Sequence, residues 1–532
     1  MTTAHTDTFI RDHLPPPELQ PEFLFDLPEL RYPERLNAAV ELIDRGDPDA
    51  LALINDAGTW TYGEMRELSD RIARLLVEEE GLVPGNRVFL RGPNNAMLFA
   101  CWLGILKAGG IVVATMPILR AREIATILRR AEVSHAIVDA RFLADYEAGA
   151  AEAGTVRSLL PYAGDSGTGE LEARLRRVEP GFVPVPTFRD DVALIAFTSG
   201  TTGQPKGCVH YHRDVLASAD SFARYVLKPE PGSRWACSAP IAFTFGLGML
   251  LIFPWRFGGA AVTIEQPGPK PLLEAIQKFG ATNLATAPTA YKVMCAMLGN
   301  YDISSLRTCV SAGEHLPAAT WHAWNEATGL KIVDGIGATE MMHIFISASG
   351  DDIRPGATGK AVPGYRACVL GEDDQPLPPG STGRLATKGP TGCRYFDDER
   401  QKNYVVNGWN VTGDTYRQDE EGYFWYLARS DDMIISAGYN IAAPEVENAL
   451  LSHKAVQECA VIGVPCEERG QKVKAFVVAS GGYAPCEKLT RELQAHVKQA
   501  IAPYKYPREL EFVDALPKTA TGKLQRFALR TK

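Results

Sequence analysis

The chain has 532 residues, and its 55 lysines and arginines against 64 aspartates and glutamates give a formal net charge of −9. At roughly 150 residues per domain, this length predicts several domains. A content of 45% hydrophobic and 22% charged residues excludes disordered, collagen-like and coiled-coil proteins. The acidic balance argues against nucleic acid and anionic membranes as partners, because both need a clustered basic surface.

Cysteine usage and the N-terminus both indicate a cytoplasmic protein. The ten cysteines are scattered and include no C-x-x-C pair, which is typical of reduced thiols rather than of a zinc or redox motif. The first residues lack the basic start and apolar core of a signal peptide. The uncharged stretch 235–255 contains Pro240 and Pro254, so we expect a buried strand, turn and helix beside a pocket there, with no membrane span.

Amphipathic helices alternate with short apolar strands from residue 64 onwards. The first predicted helix, 64–80, places Leu68, Ile72, Leu75 and Leu76 on one face. Further helices are predicted at 271–280 and 316–329. The predicted strands are 87–90, 111–115, 135–140, 192–200, 260–265, 283–289 and 331–337. This alternation predicts an α/β fold with layered, mostly parallel sheets and helices between them.

The composition and the predicted elements change after about residue 360, where glycine and proline become more frequent and short predicted strands replace long predicted helices. These features predict a small antiparallel subdomain. After a break near 429–432, the last hundred residues read as an α+β unit with strands at 456–464, 473–479 and 509–516 and a helix at 489–501. We therefore predict an N-terminal domain, 1–430, and a small mobile C-terminal domain, 431–532.

The segment TSGTTGQPKG, residues 198–207 (the phosphate loop below), carries the strongest chemical signal. Its three glycines allow a tight turn and close approach to a ligand, and four hydroxyls and one lysine supply donors for phosphate oxygens. The Walker pattern does not fit here. A flexible polar loop is the alternative, but a run so dense in these residues favours phosphate binding.

Four weaker segments follow. Residues 334–340 close a strand with glycines and end in a carboxylate suited to Mg²⁺, and Asp414 lies in a turn where it can accept hydrogen bonds from ribose hydroxyls. Residues 436–440 follow the predicted domain boundary, and 517–523 end in a lysine. Taken alone, these would be a surface acid, a turn aspartate, a loop and a solvated lysine.

The order and spacing of these segments resemble the adenylate-forming superfamily of acyl-CoA synthetases, adenylation domains and luciferases, from about residue 25 to Lys523. Residues 335–345 and 428–447 are similar to the benzoate-CoA ligase branch. The opening segment, 4–30, is similar to the starts of 2-aminobenzoate-CoA ligases, although it holds no catalytic residues.

The resemblance implies a nucleotide site for ATP and Mg²⁺. The β and γ phosphates would be held by Thr198, Ser199, Gly200, Thr201, Thr202, Gly203 and Lys206. The adenine would lie between Ile336 and the segment Ala312, Gly313 and Glu314, with Asp334 near its amino group. Gly335 and Gly337 would belong to the same nucleotide site, and the ribose would bind Asp414 and Arg429. The catalytic set would be Thr339 and Glu340, which place Mg²⁺ and the α-phosphate, and Lys523, which bridges the carboxylate and the α-phosphate.

The resemblance also implies an acyl pocket, a coenzyme A tunnel and a hinge. The pocket would be lined by Phe243, Thr244, Phe245, Gly246, Ala312, Gly337, His343 and Ile344. Gly438 and Tyr439 would line the tunnel, and the C-terminal domain would rotate about Asp431. We expect His343 or Thr244 to hydrogen-bond an ortho substituent of an aromatic ring. His210 and His212 resemble a metal pair, but no third ligand can be named, so we interpret them as structural.

The implied activity is that of an ATP- and Mg²⁺-dependent aryl-CoA ligase for 2-aminobenzoate, with benzoate and 2-hydroxybenzoate as alternatives. ATP and coenzyme A would be co-substrates of a monomer or homodimer. An enzyme that loads an aryl group onto a separate carrier protein is the first rival. A non-catalytic nucleotide-binding protein is disfavoured because Lys523, Glu340, Asp414 and Arg429 are all present. A luciferase-like oxidase has no positive feature in this sequence.

Overall fold

The computed structural model describes residues 2–164, 167–198, 205–429, 433–436, 439–466, 470–501, 503–518 and 524–530. No helix within these ranges is both long and apolar enough to cross a membrane. The stretch 235–255 forms a strand, Arg234–Cys237, followed by short helical segments whose side chains are largely buried. The expected strand, turn and helix is confirmed.

The described residues form four sheets, of which the two larger ones are mostly parallel. One has the order β6-β5-β3-β4-β7-β8, with β3 (Arg87–Arg91), β4 (Ile111–Thr115), β5 (His135–Asp139), β6 (Ser158–Tyr162), β7 (Val192–Thr198) and β8 (Lys206–Tyr211). The other has the order β15-β14-β13-β12-β11-β9-β10-β1-β2, with β1 (Leu51–Asn55), β2 (Gly58–Thr61), β9 (Arg234–Cys237), β10 (Ala260–Val262), β11 (Asn283–Thr286), β12 (Thr308–Ser311), β13 (Ile332–Gly337), β14 (Ile344–Ser347) and β15 (Lys360–Ala361).

The remaining two sheets are mainly antiparallel. One contains β16 (Arg366–Leu370), β17 (Thr382–Lys388), β18 (Val405–Val406), β19 (Trp409–Gln418) and β20 (Phe424–Arg429). The other contains β21 (Met433–Ser436), β22 (Tyr439–Ala442), β23 (Val456–Cys466), β24 (Gly470–Ala479) and β25 (Glu509–Phe512). Among these described strands, β24 and β25 form the one parallel pair. The predicted α/β fold, with an antiparallel subdomain and a small α+β C-terminal domain, is confirmed.

Helices pack against the two larger sheets and against the C-terminal sheet. They are α1 (Phe9–Asp12), α2 (Tyr62–Glu78), α3 (Ala96–Lys107), α4 (Ala121–Arg130), α5 (Leu143–Ala153), α6 (Glu170–Leu175), α7 (His212–Ser218), α8 (Thr244–Leu247), α9 (Phe253–Arg256), α10 (Pro269–Phe279), α11 (Pro288–Cys295), α12 (Ala318–Thr328), α13 (Gln401–Tyr404), α14 (Ala443–Leu451), α15 (Glu487–Ala500) and α16 (Arg526–Arg530). On the C-terminal sheet, α14 and α15 lie on one face and α16 on the other.

Local chemistry explains where the helices begin and end. Helix α2 begins with a capping box, in which the Thr61 side chain accepts from the Glu64 backbone and the Glu64 carboxylate accepts from Thr61 N. Helix α12 begins after Pro317 and ends at Gly329, which has a left-handed φ of 72°. Strand β8 contacts the turn that follows β13, so the two larger sheets meet there.

Candidate functional site

The phosphate loop connects two antiparallel strands. Thr198, the last residue of β7, lies opposite Lys206, the first residue of β8. Lys206 is therefore held at a fixed position on the sheet. Residues 199–204 lie outside the described residues, so Ser199, Gly200, Thr201, Thr202 and Gly203 stay predictions.

Lys206 and Glu340 are joined through a tyrosine. Lys206 Nζ donates to the hydroxyl of Tyr395 at 2.8 Å, and that hydroxyl donates to Glu340 Oε1. The lysine nitrogen itself lies 3.8 Å from Glu340 Oε1. Tyr395 and Glu340 are both buried, at 1% and 8% exposure. The cation predicted for the phosphates and the carboxylate predicted for Mg²⁺ thus lie within one hydrogen-bonded group.

A second buried chain supports the turn that carries Thr339 and Glu340. His210 Nε2 donates to the Thr339 carbonyl at 2.8 Å, and its Nδ1 lies 3.9 Å from Asp214 Oδ2. Arg394 Nη1 donates to the same Asp214 oxygen at 2.7 Å. Burial alone would lower the pKa of His210, but Cys208 and Asp214 outweigh it and raise that pKa. His210 therefore holds the turn that carries Thr339 and Glu340 through its backbone.

The neighbouring histidine has a different environment. His212 Nδ1 accepts from Ala38 N at 3.1 Å, and burial lowers the pKa of His212 to about 3. His210 and His212 are separated by Tyr211, and their rings contact different partners. Over the ranges that the structure describes, no group of three or more histidine, cysteine or acidic side chains is arranged to hold a metal ion. Both histidines have structural contacts.

Asp334 lies at the end of the parallel part of β13, opposite Ser311 of β12. Its Oδ1 is buried and, among the described residues, has no hydrogen-bond partner. Burial raises the pKa of Asp334 to about 8, against smaller lowering contributions from Gly335 N and Ser311. The carboxyl group is therefore mostly protonated at neutral pH and can both donate and accept.

The residues predicted for the ribose lie on adjacent strands. Asp414 of β19 is directly opposite Arg429 of β20. Nearby, the His315 ring stacks on Tyr426 at a centroid distance of 5.4 Å, and Asn448 Nδ2 of α14 lies 3.3 Å from His315 Nε2. This edge of the antiparallel sheet thus meets the segment that follows β12, where Ala312, Gly313 and Glu314 were predicted to contact adenine.

An aromatic cluster surrounds His343. The imidazole stacks on Phe222 at 5.6 Å, packs edge-on against Phe253 at 4.6 Å and lies 5.6 Å from Phe245. Its Nε2 donates to the Phe245 carbonyl at 3.3 Å, whereas Nδ1 is buried with no partner among the described residues. Burial lowers the pKa of His343 to about 3, so the ring is neutral and Nδ1 is an acceptor.

The other residues predicted for the acyl pocket lie around this cluster to different degrees. Gly337 is adjacent, since a Cβ there would lie 2.9 Å from the His343 carbonyl oxygen, and Ile344 pairs with Gly337 across β13 and β14. Phe243 caps the short helix α8, which carries Thr244, Phe245 and Gly246. Ala312 is buried in the same core cluster as Phe222. Among the described residues, no ring contact of Phe243 and no hydrogen bond of Thr244 with the His343 ring is found.

Some predicted residues belong to the part of the chain that the structure does not describe. Asp431, Gly438 and Lys523 lie outside the described residues, and Tyr439 is described only by its backbone, at the start of β22 opposite Ser436. Conversely, sequence reasoning missed Tyr395, Phe222 and Phe253. Phe253 belongs to a long apolar run that indicates burial alone, and Phe222 lies in a mixed polar and apolar segment without a motif. The contacts of Tyr395 depend on a strand pairing that no local pattern reveals.

A cavity of about 760 Å³ opens between the loop that joins β1 to β2 and helix α10. It is lined by none of the predicted site residues. Its charged groups are already paired, with Lys278 bonded to Asp56 and Arg141 Nη1 lying 2.7 Å from Glu265. We therefore do not assign the substrate to this cavity.

The sequence matches the AMP-binding enzyme family over residues 41–395 and the AMP-binding enzyme C-terminal domain over residues 445–523. A benzoate-CoA ligase from Thauera aromatica is 37% identical over 517 residues, which cover 95% of this chain and 97% of that protein. The crystal structure of the anthranilate CoA ligase AuaEII in complex with anthranoyl-AMP is similar, with 34% identity, a TM-score of 0.89 and coverage of 95% and 98% of the two chains. A benzoate CoA ligase from Burkholderia xenovorans LB400 has 32% identity, a TM-score of 0.85 and coverage of 93% and 99%.

Proposed function

The chain belongs to the AMP-binding enzyme family and is an AMP-forming acid-CoA ligase, and from this we propose that its acid substrate is 2-aminobenzoate. A carboxylate does not react with a thiol until one of its oxygens becomes a good leaving group. In the first half-reaction, a carboxylate oxygen attacks the α-phosphorus of ATP and pyrophosphate leaves. In the second, the coenzyme A sulfur attacks the carbonyl carbon, the thiol proton is lost and AMP leaves.

The residues that would hold Mg²⁺ are Thr339 and Glu340. Their hydroxyl and carboxylate are hard oxygen donors, which suit this cation. Glu340 Oε1 is held by the Tyr395 hydroxyl and the Thr339 carbonyl by His210, so the turn is ordered before any ligand binds. Bound Mg²⁺ neutralises phosphate charge, which favours attack at the α-phosphorus.

We assign the nucleotide to the groups that surround this turn. Thr198 and Lys206, with residues 199–203, would bind the β and γ phosphates. The protonated Asp334, with its unpartnered Oδ1, would face the adenine edge, and Asp414 with Arg429 would bind the ribose. Lys523 would stabilise charge that develops between the carboxylate and the α-phosphate. These roles follow the motif positions in the family, and the pairing of Thr198 with Lys206 and of Asp414 with Arg429 supports them.

We further propose two domains, 1–430 and 431–532, that serve the two half-reactions in different orientations. Rotation about Asp431 would withdraw Lys523 after adenylation and bring Gly438 and Tyr439 to the thiol tunnel. A glycine at 438 suits a wall that the pantetheine chain approaches closely.

The choice among the candidate acids rests on a buried hydrogen-bond acceptor, Nδ1 of His343. Because Nε2 donates to the Phe245 carbonyl, Nδ1 must be the lone-pair nitrogen, and it lacks a partner among the described residues while lying among aromatic rings. A buried acceptor of this kind is costly unless a ligand supplies a donor. An ortho amino group supplies N–H, and the aromatic surroundings suit a flat ring. The relative crystallised with anthranoyl-AMP supports the same acid.

The two alternative acids differ in whether they can satisfy this nitrogen. A 2-hydroxy group is also a donor, although in salicylate it is engaged by its own carboxylate. Benzoate has no donor at that position and would leave Nδ1 without a partner. We therefore rank 2-aminobenzoate first, 2-hydroxybenzoate second and benzoate third.

A thioester assay by mass spectrometry tests this ranking. The purified protein would receive ATP, Mg²⁺ and coenzyme A with each of 2-aminobenzoate, 2-hydroxybenzoate, benzoate, 4-hydroxybenzoate and a medium-chain fatty acid. The highest kcat/KM should be found with 2-aminobenzoate, and a preference for benzoate would refute the role of His343. Adenylate without thioester would identify a carrier protein as the acceptor, and turnover of none of the acids would contradict the proposed substrate class.

A further inference from the structure

Tyr395 links the phosphate-loop lysine to the acid of the catalytic turn. A phenol has one hydrogen to donate and an oxygen that accepts, so it can join one donor and one acceptor. Here Lys206 Nζ donates to the phenol oxygen at 2.8 Å and the phenol donates to Glu340 Oε1. Each bond has one charged partner, and such bonds are about twice as strong as neutral ones. The three residues form the Lys206–Tyr395–Glu340 chain.

The backbone of Tyr395 is held in place by neighbouring segments. Its backbone N–H donates to Gln401 Oε1 at 2.9 Å, and it pairs with Cys208 across an isolated bridge to β8. The neighbouring Val209 N donates to the Arg394 carbonyl at 2.9 Å. The pairing to β8 places the ring on the face from which Lys206 projects, and the lysine nitrogen lies 4.6 Å from the ring centroid.

From this geometry we propose that Tyr395 is a positioning residue for the adenylation half-reaction. Its hydroxyl keeps Glu340 oriented for Mg²⁺ and holds Lys206 in place until the lysine binds the nucleotide phosphates. The inference rests on the proposed function, in which Glu340 binds Mg²⁺ and Lys206 binds phosphate. Without the hydroxyl, the 3.8 Å ion pair between Lys206 and Glu340 would be free to shorten. Lys206 would then compete with Mg²⁺ for Glu340, and Glu340 would compete with the nucleotide phosphates for Lys206.

The chain offers a matched control. Tyr404 packs against Tyr395 with ring centroids 5.8 Å apart, and its hydroxyl is buried with no hydrogen-bond partner among the described residues. Tyr395→Phe and Tyr404→Phe therefore remove the same atom from the same cluster. The first breaks the Lys206–Tyr395–Glu340 chain and the second leaves it intact.

The experiment measures ATP–pyrophosphate exchange against Mg²⁺ concentration, and thioester formation from supplied 2-aminobenzoyl-adenylate. For Tyr395→Phe we expect the Mg²⁺ concentration at half-maximal exchange to rise roughly tenfold, with kcat at saturating Mg²⁺ and the thioester step changed less than about twofold. Tyr404→Phe should match the wild-type protein in all three. Equal Mg²⁺ curves for the two variants would overturn the proposal, and so would a parallel loss of both half-reactions, which indicates a structural role.

Lys206→Met tests the chain from its other end and remains informative if Tyr395→Phe does not fold. Tyr395 would still donate to Glu340, so the KM for ATP should rise while the Mg²⁺ requirement at saturating ATP stays within about twofold. A raised Mg²⁺ requirement in Lys206→Met would contradict the proposal. Failure of the wild-type protein to form any adenylate would instead refute the proposed function, so the two failures are distinguishable.

Discussion

Asp414 and Arg429 lie directly opposite each other on β19 and β20, with Arg429 Nη1 3.9 Å from Asp414 Oδ1. The separation is long for an ion pair, and half of the Arg429 side chain is exposed. Exposed pairs of this kind contribute little to folding stability.

Asp414→Asn should raise the KM for ATP by roughly tenfold or more, because a hydrogen bond to a charged group contributes about 1.5–3 kcal/mol. The melting temperature should stay close to that of the wild-type protein. Steady-state kinetics with ATP and 2′-deoxyATP would check this, since the variant should discriminate less between the two nucleotides. Asp374→Asn, in a surface pair with Arg384, is the control and should leave the KM unchanged.

Lys523→Ala should separate the half-reactions. We propose that Lys523 supplies the cation that stabilises the developing charge, so its loss should reduce adenylation by at least about a hundredfold, while supplied 2-aminobenzoyl-adenylate is still converted to the thioester. Pyrophosphate exchange and a thioester assay measure the two steps. Lys518→Ala, which removes a partly exposed lysine 2.7 Å from Glu458, is the control. Equal losses in both steps would contradict the assignment of Lys523 to adenylation alone.

His343→Leu should lower kcat/KM for 2-aminobenzoate by roughly tenfold relative to benzoate, because it removes the buried acceptor and keeps an apolar wall. Phe253→Leu changes the packing of the same cluster without removing a polar group, so both acids should be affected alike. Since burial holds the pKa of His343 near 3, the wild-type preference should not change between pH 6 and 9. A preference that disappears in this range would contradict the neutral imidazole.

Asp334→Asn should stabilise the protein without nucleotide, and increasingly so as the pH rises. Burial raises the pKa of Asp334 from 3.8 to about 8, so between these values the folded state binds a proton that the unfolded state has released. Wild-type stability then falls with pH, on the order of 1 kcal/mol per unit, and the amide variant escapes this loss. Chemical unfolding of both proteins from pH 5 to pH 8 would measure it.

A control with the opposite sign is available. Asp351 lies on the surface with Lys331 Nζ 2.8 Å away, and this pair lowers the pKa of Asp351. The wild-type carboxylate therefore contributes stability above its unfolded pKa that is lost as the pH falls. Asp351→Asn should be slightly destabilising at neutral pH, in contrast to Asp334→Asn. A stabilised Asp351→Asn would indicate a general charge effect and undermine the interpretation of Asp334.

Much of the fold could be predicted because strand signals in this chain are local and strong. The strand predicted at 111–115 occurs with the same bounds, and that predicted at 331–337 begins one residue later, at Ile332. The helix predicted at 316–329 is shorter, since Pro317 precedes its first turn and Gly329 ends it. Glycine and proline control such ends, which periodicity alone does not resolve.

A sequence motif that carries its own chemistry can be recognised from residue types, whereas contacts between residues far apart in the chain cannot. The phosphate loop has that chemistry, and its flanking residues Thr198 and Lys206 are paired. Tyr395 lies 189 positions from Lys206 and 55 from Glu340, so only the folded chain reveals their contact. The orientation of the His343 ring likewise depends on the Phe245 carbonyl, and no pattern of residue types specifies it.

The bridge between Cys208 and Tyr395, described above as a support for the tyrosine, also limits how segments can be exchanged between relatives. Gly207 has no side chain, and a Cβ there would lie 2.2 Å from the Phe396 ring, so the two segments have matching shapes as well as matching hydrogen bonds. A chimera with one junction between residues 212 and 392 would take them from different parents. Segments 205–211 and 393–396 should therefore be transferred together.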